Sequence, residues 1–124
     1  VIGALCVVAL AGVHPGGDVQ EHVRAMLQAD ARGCAVRIEG VCASACTVFL
    51  GARDVCVSPG ARLMFHAPTV VRGDPEMRAF FVDYLSAWYP EPLRSWFRGH
   101  VADSGRDHWV SGAELIRHGV RECK

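Results

Sequence analysis

Short apolar runs rich in β-branched residues alternate along this chain with segments of helical periodicity, and that alternation admits few folds. Val1–Val13 reads as a buried strand ending at Pro15, Gly16 and Gly17. Asp18 is placed to cap a helix whose apolar positions are Val19, Val23, Met26 and Leu27, with Gly33 to end it. Cys34–Ile38 reads as a strand, Ala45–Leu50 as a helix apolar on every side, and Val55–Val57 and Leu63–Phe65 as two strands separated by Ser58, Pro59 and Gly60. From Asp74 a further helix carries the stripe Met77, Phe80, Phe81, Tyr84, Leu85 and Trp88, and Pro90 and Pro92 interrupt it before a helix through Trp96 and Phe97. Ser111 and Glu114 form a capping box for a last helix that ends at Gly119, and Val120 begins a final strand. The pattern predicts an α/β domain with a largely parallel sheet.

Its 124 residues, 51% of them hydrophobic, suffice for one domain over 1–124 with a core that needs no metal. Thirteen basic residues balance thirteen acidic ones, and no stretch gathers the basic field that nucleic acid requires. The Val1–Val13 run is too short for a membrane span and has no charged flank, so the chain is expected to start inside a longer precursor. Six cysteines, an even count, lean towards an oxidising compartment, that is, an exported or periplasmic protein. A cytoplasmic protein with buried free thiols is the alternative, and composition leaves the pairing open. Cys42 and Cys46 lack a second Cys or His pair at zinc-site spacing, so neither metal nor cofactor is expected.

Three residues could carry chemistry. Ser44 stands at the start of the apolar helix, where free backbone N–H groups and the positive helix end favour an oxyanion. His66 closes a strand ahead of Ala67 and Pro68, where its ring could project into a cleft. Asp107 follows Arg106 shortly before the last helix. Each also has a plainer reading: Ser44 as a helix cap, His66 as a core histidine, Asp107 as a loop carboxylate paired with Arg106. Cys42 and Cys46 flank the serine, and either could act as a thiol with His66 or join in a disulfide that shapes the turn.

Taken together, the stretch from Pro15 to Pro68, with PGG, an amphipathic helix and then GVCASACTVFLGARDVCVSPGARLMFHAP, resembles the ClpP proteolytic subunits of the ClpP/crotonase-like superfamily and their exported Clp-like relatives. The C-x-S-x-C form around Ser44 is similar to that exported branch. RDHWVSGAELIRHGV, residues 106–120, resembles the family segment that holds the triad aspartate. The resemblance implies repeated β-β-α units with a helical, handle-like region at residues 73–104, although that region matches weakly. It implies Ser44 as nucleophile, His66 as base, Asp107 as the third member, and the N–H groups of Gly17 and Ala45 as the oxyanion hole. The expected activity is a serine peptidase or hydrolase that cleaves peptide or ester bonds through an acyl-enzyme. The expected partner is a peptide or protein substrate, with a homo-oligomer left open. The chain does not show the N-terminal strands and loops with which a complete subunit docks its unfoldase, which argues against an ATP-dependent unfoldase partner. The alternative is the same scaffold without turnover, kept as a peptide- or protein-binding module.

Overall fold

The computed structural model describes residues 6–68 and 74–124. It is a mixed α/β structure with two sheets. The first holds β1 (Val7–Leu10), β3 (Ala35–Ile38) and β5 (Val55–Val57), in the order β1-β3-β5 and all parallel. The second holds β2 (Val13–His14), β4 (Val41–Ala43), β6 (Arg62–Phe65) and β7 (His108–Ser111), in the order β2-β4-β6-β7. Its first three strands are parallel, and β7 closes it antiparallel to β6. From β1 to β6 the chain therefore deals its strands alternately to the two sheets, and β7 joins β6 in the second.

The expected strand over Val1–Val13 is corrected. Val1–Leu5 lie outside the described residues, and the remainder divides at Ala11 and Gly12 into β1 and β2, which belong to different sheets. Nor is it buried throughout: Leu10 joins the core, but Val7 is 56% and Val13 72% exposed on strands that form sheet edges. β5 and β6, separated by Ser58–Gly60 as expected, belong to different sheets.

Helix α1 (Val19–Ala31) begins as expected, with Asp18 Oδ1 accepting the Glu21 N–H at 2.9 Å. It buries Val23, Met26 and Ala29, while Leu27 stays 46% exposed. The sequence reading misassigned Leu27 because several apolar arcs fit the same short periodicity, and contact with the following helix selects among them. That helix, Ser44–Gly51, is a 3₁₀ helix buried from Ala45 to Leu50 and packed between α1 and the sheets.

Of the handle-like region 73–104, Gly73 lies outside the described residues. The rest carries α2 (Pro75–Ser86), capped by Asp74, and α3 (Leu93–Trp96), which widens into a π turn over Phe97–Val101. The expected stripe on α2 is only partly core: Leu85 is buried, but Met77 and Phe80 are exposed. Phe65 at the end of β6 meets the rings of Tyr89 and Trp96 edge-on at 5.4 and 5.5 Å, and Tyr89 meets Phe97 at 5.3 Å. This aromatic cluster anchors the strand that His66 follows.

Strand β7 is absent from the sequence reading, its HWVS too short to separate from a loop. Helix α4 (Gly112–Arg117) follows it, with Ser111 Oγ accepting the Glu114 N–H at 3.1 Å. The strand expected from Val120 reduces to one bridge between Val57 and Glu122. Disulfides join Cys6 to Cys34, Cys42 to Cys46 and Cys56 to Cys123.

Candidate active site

Parallel strands deliver their C-terminal ends to one edge of a sheet, which is where α/β folds collect reactive groups. In the second sheet β2 leads into Gly17, β4 into Ser44 and β6 into His66. β7 runs the opposite way, so the residue that precedes it, Asp107, also arrives at this end. Gly17, Ser44, His66 and Asp107 thus come off adjacent strands in spatial order. Continuing the β6–β7 ladder one step past the Phe65–His108 pair sets Asp107 across from His66.

Ser44 Oγ lies 2.8 Å from His66 Nε2. Both residues are partly exposed, and they open on a cavity of about 250 Å³ that Gly17, Val19, Pro68 and Phe81 also line. The distance suits a hydroxyl that donates to Nε2, the arrangement that a general base in its Nδ1–H tautomer requires. Ser44 adopts φ +56°, the only non-glycine residue with positive φ among those described. A left-handed serine costs about 1–2 kcal/mol, and such outliers collect where the fold imposes a geometry for use. The cap reading of Ser44 fails, because Ala43 holds the cap position without a side-chain bond and the Ser44 hydroxyl turns to His66.

Beneath the turn lies a buried polar chain. Thr47 Oγ1 donates to the Ser44 carbonyl at 2.6 Å, which leaves its oxygen to accept from the Tyr89 hydroxyl, also at 2.6 Å. Burial raises the Tyr89 pKa, and the bond to Thr47 offsets only part of that shift, so the phenol stays protonated as the chain requires.

The glycine turn presses on Ser44 from the other side. Gly16 has φ +98°, and a Cβ there would lie 2.7 Å from the Ala43 carbonyl oxygen and 2.8 Å from Ser44 Cβ. Only glycine fits. The same Cβ would stand 3.2 Å from the Ala45 nitrogen, which shows how near the two proposed oxyanion donors' segments run. Ala45 is in the first turn of the 3₁₀ helix, where N–H groups have no intrahelical acceptor.

Asp107 is not brought into contact with His66. No hydrogen bond joins the two, and Asp107 is exposed on the wall of a second cavity of about 510 Å³, with Trp96, Trp109 and His118. It makes no ion pair with Arg106 either, among the described residues. Its neighbour His108 instead bonds Ser104 Oγ at 2.7 Å. Cys42 and Cys46 are joined and buried, so neither offers a thiol to His66.

Sequence reasoning missed Gly16, Thr47 and Tyr89. The PGG motif pointed to the first, whereas the Thr47–Tyr89 bond spans 42 residues and leaves no local signal. Among the described residues no His, Cys, Asp and Glu side chains group as metal ligands, and no helix is long and apolar enough to cross a membrane. No protein-family model matches the chain, and none of the curated proteins matches it.

Proposed function

We propose that the chain is a serine peptidase or hydrolase that cleaves peptide or ester bonds, working through Ser44 and His66. The observation that carries this reading is the 2.8 Å contact between Ser44 Oγ and His66 Nε2 on a serine held at positive φ beside an open cavity. His66 takes the Ser44 proton as Oγ attacks the acyl carbon. The N–H groups of Gly17 and Ala45 receive the oxyanion, and His66 returns the proton to the leaving amine or alkoxide. Water, deprotonated by His66, then releases the acid from Ser44. Asp107, at the end of the neighbouring strand, orients the imidazole through Nδ1–H by turning from the second cavity.

A ClpP/crotonase-like scaffold is the family reading in keeping with this site, supported by the PGG turn, the serine segment and the M-x-H-x-P strand in that order. Three disulfides support export to an oxidising compartment such as the periplasm. A second reading, a peptide- or protein-binding module without turnover, draws on one observation: among the described residues His66 has no carboxylate partner.

A fluorophosphonate probe and a peptide or ester substrate decide between them. Labelling confined to Ser44, with hydrolysis that falls on the order of 10⁶-fold in Ser44→Ala, is the expected result. A folded protein that takes no label, or a Ser44→Ala variant as active as the wild type, rejects the hydrolase.

A further inference from the structure

The three disulfides differ in how much chain they enclose. Sequence separations are 28 for Cys6–Cys34 and 67 for Cys56–Cys123, but only 4 for Cys42–Cys46. Restriction of the unfolded chain grows with the loop closed, so Cys42–Cys46 contributes least to global stability by that route. Its location is what distinguishes it. Cys42 sits in β4, held on both sides by β2 and β6, and Cys46 sits in the buried 3₁₀ helix. The residues between them are Ala43, Ser44 and Ala45.

Ala43 is held by its pairing with Met64 in β6 and Ala45 by burial in the 3₁₀ helix, so the strain of the turn falls on Ser44 between them. Ala43 and Ala45 have no side chain that could wedge the turn, and Ser44 occupies a region that serine ordinarily avoids. The Thr47 hydroxyl grips the Ser44 carbonyl and His66 the Ser44 hydroxyl, but neither bond ties β4 to the 3₁₀ helix across the strained residue as a covalent link does.

We infer that the Cys42–Cys46 disulfide is a positioning element for the nucleophile: by tying β4 to the 3₁₀ helix across Ser44, it keeps Oγ on His66 Nε2 and aims the Ala45 N–H. The inference rests on the hydrolase reading above and names two residues whose effect passes through Ser44. Neither sulfur touches substrate.

The test compares Cys42→Ala/Cys46→Ala with Cys56→Ala/Cys123→Ala, using the fluorophosphonate labelling rate of folded protein and steady-state hydrolysis of an ester that the wild type turns over. In the first pair, labelling rate and kcat fall about 10²-fold, as displacement of reacting atoms predicts, while KM stays within about twofold because the cavity walls are intact. Its melting temperature falls less than that of the second pair, whose folded fraction labels at the wild-type rate. A folded Cys42→Ala/Cys46→Ala protein with wild-type labelling and kcat overturns the inference and leaves the hydrolase standing. A wild-type protein that takes no label overturns the hydrolase, and the positioning role with it. Should the alanine pair not fold, Cys42→Val/Cys46→Ala refills part of the buried volume and is measured in the same way; failure of both to fold assigns the cross-link to stability and overturns the positioning role.

Discussion

At Gly16 the backbone passes so close to Ala43 and Ser44 that one added carbon must displace the Ser44 turn. Gly16→Ala is therefore expected to leave the far-UV circular dichroism unchanged while hydrolysis falls about 10²-fold, the usual result of moving reacting atoms by about an ångström. Wild-type turnover in that variant would mean that the turn can yield without disturbing Ser44. Asp107 poses a different question, since the strand register sets it opposite His66 while its side chain lines another cavity. If it turns to Nδ1 during catalysis, Asp107→Asn lowers kcat on the order of 10⁴-fold by favouring the wrong imidazole tautomer. A kcat that is unchanged in the asparagine variant identifies a serine–histidine pair working alone.

Tyr89, in the turn that follows α2, joins the helical region to the 3₁₀ helix by donating its hydroxyl to Thr47. Near neutral pH, Tyr89→Phe is expected to cost about 1–2 kcal/mol, because a buried hydrogen bond is lost. The pH dependence has a definite sign. Burial raises the folded-state pKa, so above the ordinary tyrosine value near 10 the unfolded chain releases a proton that the folded protein keeps. The stabilisation is complete below that value, declines above it and is lost as pH rises to the raised folded-state value, so the stability gap between wild type and Tyr89→Phe should narrow progressively above pH ~10. Urea midpoints measured on both sides of that pH test it, and a gap constant throughout would place the phenol in contact with water.

For the molecule as a whole, the Cys56–Cys123 disulfide ties the C-terminal segment to β5 in the first sheet, far along the chain. Loop closure over 67 residues contributes about 4 kcal/mol in the chain-entropy treatment, against about 2 for the short Cys42–Cys46 loop. Cys56→Ala/Cys123→Ala should accordingly lower the melting temperature by on the order of 10 °C, and calorimetry reads this directly. A shift of a degree or two would show that the C-terminal segment is held by its backbone bonds to Val57 instead.

Local chemistry was legible in the residues themselves. The Asp18, Asp74 and Ser111 caps, the buried run after Ser44, and the strands at Ala35, Val55 and Arg62 follow from side-chain type and period, because each depends on neighbours within a turn or two. The serine and histidine were legible as candidates by their positions at a helix start and a strand end. What the tertiary structure alone decided is which strand belongs to which sheet, and so which strand ends meet. Splitting Val7–His14 between two sheets, pairing the cysteines, exposing Met77 and Phe80 and adding β7 beside β6 all depend on contacts between segments far apart in the chain. The 2.8 Å contact between Ser44 and His66 is of the same kind, fixed by the parallel pairing of β4 with β6, for which no local pattern codes.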